Sequence, residues 1–254
     1  MSADVYFARI QEILTEIKSS QGERIRKAGS KMAECISSQG RVYVFGSGHS
    51  VIPVLDIYPR YGSFVGFFPL YDPRLMWDNV IGPGGARELL WLERREGYAR
   101  VFLQSYPLEP RDCMLLFSHG GLNAVPVEMA MEARDRGLTV ITVTSHRNAQ
   151  VARASHSSGK KLSDLAHIAI DNCVPPEDAL VDIGQVERVA AGSTVAAVTI
   201  AMSLVAETGA CLARLGKVPA TFVSPNVPGV PAGHMDRVYQ SFTDFFFARG
   251  SRLG

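Results

Sequence analysis

Five short runs of consecutive apolar, β-branched and aromatic residues recur along this chain, and helical stretches separate most of them. The runs are Arg41-Val42-Tyr43-Val44-Phe45, residues 64–70, residues 113–117, residues 139–144 and residues 167–171. Few polar residues interrupt them, so they read as strands buried on both faces rather than strands with one wet face. Between and around them the period changes to that of a helix. Tyr6, Ile10, Ile13, Leu14 and Ile17 recur at helical spacing, and Ile25, Ala28, Met32 and Ile36 do so after Gly22. These are two amphipathic helices, or one with a break. Residues 86–104 read as a single helix. Residues 125–136 form another, with Asn123 as its N-cap and Gly137 just past its end. Pro126 fits the first turn of that helix, where its missing N–H costs nothing. Residues 193–215 make a long apolar helix, and Val238, Phe242, Phe245 and Phe246 give the tail a helical apolar stripe. Strands alternating with helices imply a parallel sheet covered on both faces, an α/β fold of three layers. Ligands of such sheets sit beyond the carboxyl ends of the strands.

The chain's 254 residues, 46% of them hydrophobic, suit one large domain over 1–254. N-terminal helices over 4–38 and a helical tail over 233–250 flank its centre. Residues 71–85, 155–161 and 172–184 read as irregular. The 26 Lys and Arg against 25 Asp and Glu give no pull toward nucleic acid or an anionic membrane. Residues 1–40 lack a helix-turn-helix with a basic recognition helix. Cys35, Cys113, Cys173 and Cys211 form no close pair, and buried reduced thiols in a cytoplasmic protein are expected. The N-terminus has no basic start followed by an apolar run. Residues 190–206 are almost uncharged but contain Gly192, Ser193, Thr194, Thr199 and Ser203, which favours a core helix over a membrane span.

The strand ends carry the chemistry. Gly46-Ser47-Gly48-His49-Ser50 follows the first run and opens a helix. Glycines let a ligand approach the backbone, serines add hydroxyls, and a helix start adds free N–H groups with partial positive charge. Ser118-His119-Gly120-Gly121-Leu122-Asn123 repeats the design after the third run, and Thr144-Ser145-His146 ends the fourth. Three such loops on one sheet edge suit a phosphate or an array of sugar hydroxyls. Other chemistries fit less well. No Gly-Lys-Ser/Thr follows the first loop, and position 51 is Val where a dinucleotide fingerprint needs Gly. No Gly-x-Ser-x-Gly elbow is present. No histidine pair has zinc-hydrolase spacing, and a loose grouping of His49, His119 and Asp56 is the one metal alternative.

These loops resemble the SIS (sugar isomerase) domain family. The stretches "RVYVFGSGHS", "LLFSHGGLNAVPVEMAMEARDRG" and "VITVTS" carry the likeness, which continues through "HSSGKKLSDLAHIAIDN" and "GSTVAAVTIAMSLV". It spans Tyr6 to Gly229 and looks like the phosphosugar-binding branch related to N-acetylmuramic acid 6-phosphate etherases and sedoheptulose 7-phosphate isomerases. The resemblance implies a five-stranded parallel sheet in a flavodoxin-like αβα sandwich, a homodimer or higher oligomer, and sites at subunit boundaries. It implies ligand-binding roles for Gly46, Ser47 and Ser50 in the first loop, Ser118, Gly120 and Asn123 in the second, and Thr144 and Ser145 in the third. The chain departs from the family pattern at Gly120, where a second serine is usual, and at Leu122, where this branch often has a basic residue. Backbone N–H groups from Gly120 to Asn123 remain as donors.

Moving a proton between two sugar carbons needs a base, and opening the ring needs an acid; ether elimination needs the same pair. Glu93, in "WLERREGYA", matches a region where the related etherases carry acidic residues; Glu96 beside it reads as surface charge. Glu128 lies behind the second loop and faces either the site or solvent. Among histidines, His49 lies inside the first loop and His119 inside the second. His156 sits in a loop that the resemblance brings to a neighbouring subunit's site. His167 begins a strand, and His234 starts a helix. The expected activity is a cofactor-independent phosphosugar isomerase or amino-sugar-phosphate lyase, with catalytic candidates Glu93, Glu128, His49 and His156. The alternative is a phosphosugar-binding module without chemistry.

Overall fold

A computed structural model of the chain describes residues 1–76, 85–217 and 220–249. The chain opens with one uninterrupted helix, α1 (Ser2–Ser37). The expected break at Gly22 does not occur. Ile13, Ile17, Gln21, Ile25, Ala28 and Met32 form one buried stripe that runs past the glycine. Glycine off that stripe costs only about 1 kcal/mol of helix propensity, less than burial of the stripe returns.

Then follow β1 (Val42–Gly46), α2 (Val51–Ile57), β2 (Phe67–Pro69), α3 (Gly85–Glu93), α4 (Tyr98–Leu103), β3 (Cys113–Phe117) and α5 (Ala124–Asp135). The rest comprises β4 (Thr139–Thr144), α6 (His146–Val151), β5 (Ile168–Asp171), β6 (Ala179–Val181), β7 (Val189–Ala191), α7 (Ser193–Arg214) and α8 (His234–Phe247). Five strands form a parallel sheet in the order β2-β1-β3-β4-β5. All five expected strands exist, although the second shrinks from 64–70 to β2, with Phe64 forming only a bridge to Thr221.

Alternation along the strands builds two cores, one per sheet face. Val42, Val44, Leu115, Phe117, Ile141 and Val143 face α1, α2 and α7. Tyr43, Phe45, Met114, Leu116 and Val140 face α3, α4 and α5. On the first face α1 and α7 approach closely: a Cβ on Gly29 would lie 2.6 Å from Cβ of Glu207. The helix α7 is the one described helix long and apolar enough to cross a membrane by composition, and its packing on α1 and α2 makes it part of this layer.

Three further departures from the expected elements have local causes. The helix expected over 86–104 is two helices, because Gly97 takes a left-handed φ of 86° and turns the chain between them. The expected loop 172–184 contains β6, which pairs with β7 beyond it in an antiparallel hairpin whose connecting residues are exposed. Part of the loop expected over 71–85 is a short 3-10 turn, Pro73–Leu75, and residues 77–84 lie outside those described. At the C-terminus, Val238 is buried, Phe242 packs 5.0 Å from Tyr58, and Phe246 stacks 5.2 Å from Phe68 of β2. Arg41 donates to the carbonyls of Phe245 and Phe246 at 2.8 and 3.2 Å, closing the C-terminal end of α8 where a cation is favoured. The tail's aromatic stripe is thus largely spent on its own sheet edge.

Candidate functional site

Register places three loops side by side. Gly46 pairs with Phe117, and Phe117 with Val143, so β1, β3 and β4 end together. Ser47, Ser118 and Ser145 follow those ends at one sheet edge. The first loop is compact because nothing larger than glycine fits its entry: a Cβ on Gly46 would lie 2.0 Å from the Ser50 carbonyl oxygen. Gly48 and Gly121 take left-handed φ angles of 58° and 61° that side chains disfavour.

The candidate residues fall into two groups. In the first, Glu93 ends α3 and lies buried between two loops. Its one carboxylate oxygen accepts a short hydrogen bond from the Ser47 hydroxyl, and its other accepts from Asn123 Nδ2 at 2.6 Å. Asn123 stands at the N-cap position of α5 yet makes no capping bond with its side chain. The local preference expected from sequence yields to Glu93, and the start of α5 keeps no side-chain cap. Ser155 adds its hydroxyl to the Leu122 carbonyl at 3.0 Å and to Asn123 Oδ1 at 3.4 Å.

The second group lines a narrow crevice between the loops and the start of α7: His49, Ser50, Ser118, His119, Asn172, Ser193 and Thr194, floored by Phe117, Val143 and Ala197. Ser118 Oγ accepts from the Gly121 N–H at 3.1 Å, which leaves its own proton to donate. His119 Nδ1 accepts from Asn172 Nδ2 at 3.2 Å, and its Nε2 lies 3.4 Å from the Pro176 carbonyl. The amide can only donate to that ring nitrogen, so the proton of a neutral His119 sits on Nε2. At the helix start, Asp178 holds the N–H groups of Gly192 and Ser193 at 3.1 and 2.7 Å and the Ser193 hydroxyl at 2.7 Å. Asn172, Ser193 and Thr194 were not legible as crevice residues; the hydroxyl pair before an apolar helix was the one available signal.

Two expected ligand-binding residues have other duties here. Ser145 is fully buried, donates to the Val174 carbonyl at 2.6 Å and caps α6 by accepting from Asn148 N–H at 3.1 Å. Thr144 lies buried beneath the second loop, where a Cβ on Gly121 would come within 3.1 Å of its methyl. Gly120 keeps room: an added Cβ would stand 3.5 Å from Asn148 Nδ2, an ordinary contact.

Glu128 and His156 meet outside both groups. Glu128 accepts from the N–H groups of Gly97 and Ala99 at 2.5 and 3.3 Å, capping α4. His156 Nε2 lies 3.7 Å from Glu128 and 3.8 Å from Glu96. His167 Nδ1 accepts from the Val140 N–H at 2.9 Å, and burial, then the charge of Arg134, push its pKa down, as befits a structural imidazole. Asp56 of α2 pairs with Arg60 just past the helix end. Among the described residues no group of His, Cys, Asp and Glu is placed to hold a metal ion.

Known proteins resemble this chain in sequence or in fold. A UPF0309 protein of Halalkalibacterium halodurans is 33% identical over 239 residues, covering 93% of this chain and 96% of its own length. One of Caldanaerobacter subterraneus is 33% identical over 230 residues, covering 89% and 92%. Among solved structures, a phosphoheptose isomerase from Francisella tularensis superposes with a TM-score of 0.54 at 16% identity, covering 81% of this chain and 95% of its own. A phosphoheptose isomerase from Neisseria gonorrhoeae gives 0.54 at 14% identity, covering 80% and 95%. At those identities the superpositions speak for the fold. Residues 5–145 match the family model described as SIS domain, and with the full-length UPF0309 relatives this shows that the chain belongs to the SIS domain family.

Proposed function

We propose that the chain binds a phosphorylated sugar at the carboxyl edge of its sheet and acts on it without a cofactor, as an isomerase or an amino-sugar-phosphate lyase. The observation that carries this reading is the bridge of Glu93 to Ser47 and Asn123, a buried carboxylate fixed where two phosphate-type loops meet. Two of the fold neighbours are phosphoheptose isomerases, which supports a sugar phosphate as the substrate class. The phosphate fits the backbone N–H groups of the second loop and the uncapped start of α5, a ready anion site. Ser50 and Ser118 add hydroxyls to the sugar. Glu93 is then the base that moves the proton, and His49 the acid that serves the ring oxygen. Assembly into a homodimer or higher oligomer in the cytoplasm belongs to the same reading.

A second reading is a binding module without turnover. It is favoured by the crevice lining, which carries no Lys or Arg among the described residues, and by the full engagement of both Glu93 oxygens. A panel of aldose, ketose and amino-sugar phosphates separates the two. Conversion of one of them is the expected result. Ligands that raise the melting temperature with none converted give the second reading, and no response from any overturns both.

A further inference from the structure

Residues 155–158 touch both the bridge and the turn between α3 and α4. The Ser155 N–H and hydroxyl each donate to the Leu122 carbonyl at 3.0 Å. The Ser157 N–H and hydroxyl donate to Glu96 at 2.6 and 2.7 Å. Between these anchors His156 is nearly buried, its side chain 10% exposed. Its Nδ1 accepts from the Ser158 N–H at 3.1 Å, so a neutral ring carries its proton on Nε2. That proton points into the gap between Glu96 and Glu128, at 3.8 and 3.7 Å, too far for a hydrogen bond to either and close enough for electrostatic attraction to both. Glu128 in turn holds the Gly97 N–H. Glu93 ends the helix just before this turn, and Asn123 follows the carbonyl that Ser155 grips.

We infer that residues 155–158 form a clasp, with His156 and Glu128 as positioning residues that hold Asn123 and Glu93 in register instead of acting on substrate. The inference rests on the proposed role of Glu93 in the bridge. Residues 155–158 tie the α3–α4 turn, through Glu96, to the residues that precede α5, through the Leu122 carbonyl. Glu96 and Glu128 repel one another, and an imidazole between them offsets that repulsion. Removing His156 should therefore loosen the segment at both ends.

The test uses the full chain, with hydrogen exchange of single amides and turnover of sedoheptulose 7-phosphate as separate readouts. In His156→Ala, exchange at Ser155, Ser157 and Gly97 should rise about tenfold or more, and kcat should fall with little change in KM. His156→Gln keeps a donor toward the two carboxylates and should restore both readouts to within about threefold, which a proton-transferring histidine does not allow. The inference is overturned if His156→Ala leaves exchange at Ser155 and Gly97 unchanged. It is equally overturned if His156→Gln restores exchange while turnover stays lost. If His156→Ala unfolds the chain, Glu96→Gln gives the milder probe, and unchanged exchange at Ser155 and Ser157 in that variant is contrary. If the wild type turns over no sugar phosphate, the catalytic reading fails by itself and exchange alone decides the clasp.

Discussion

Two loops from different strands meet on a single carboxylate, that of Glu93. Glu93→Gln keeps the volume but turns one acceptor into a donor facing Ser47 or Asn123. Turnover of a sugar phosphate should fall roughly 10²–10⁴-fold, the scale of a lost general base, with a smaller change in ligand affinity by calorimetry. Glycines near it differ in a way that stability measurements can resolve. Gly46→Ala would press a methyl to 2.0 Å from the Ser50 carbonyl, and urea denaturation should show a loss of about 2 kcal/mol or more. Gly120→Ser meets only an ordinary contact and should leave stability within about 1 kcal/mol of wild type. Thiols give a further check. Burial pushes Cys173 up to about 11, so alkylation at pH 8 should label Cys211, the least buried of the four cysteines, well before Cys173. Gly46 and Ser47 were legible in the sequence because a tight strand-to-helix turn advertises itself in residue type. Asn123 misled, since cap preference is local and its real partner lies on another helix. His119 was visible as a loop residue, but its bond to Asn172 depends on strands that only the fold brings together.

At the scale of elements, period and residue type carried most of the information. The five strands and the layer helices could be read because burial on both faces leaves uninterrupted apolar runs. Gly22 suggested a break in α1 that the continuous buried stripe overrides, whereas Gly97 made a real one that the helical periodicity of 86–104 concealed. The β6–β7 hairpin was missed because its strands are three residues each and the link between them is polar or exposed. Where α1 meets α7, Gly29→Val should push the helices apart and cost roughly 1–3 kcal/mol in denaturation, as over-packing does elsewhere. The segment 155–158 should respond to acid. The Ser157 hydroxyl, then its N–H, hold the Glu96 carboxyl below its usual value of 4.5. Its contribution to anchoring the segment is therefore complete above that value and is lost as pH falls through the lowered one. Exchange at the Ser157 amide, corrected for intrinsic rates, should accelerate over that acid range, and Glu96→Gln should remove the dependence.

For the whole molecule, a sheet with both faces covered leaves its carboxyl edge as the place where loops from β1, β3 and β4 converge. Apolar surface remains elsewhere. Phe7 on the first turns of α1 is 70% exposed, Val186 at the hairpin tip 93% and Phe247 71%. Sedimentation at micromolar concentration should accordingly show a dimer or larger species, and a monomer near 27.6 kDa with full ligand binding would remove the subunit-boundary reading. Where a ligand lodges decides which sheet edge is the site. This is read from a crystal structure of the chain with a bound sugar phosphate. The phosphate should lie against the loops 46–50 and 118–123 at the start of α5, with the Glu93 carboxylate facing the sugar's first two carbons. A phosphate lodged at the opposite sheet edge, in the groove of Lys27, Lys31 and Arg111, would contradict that placement.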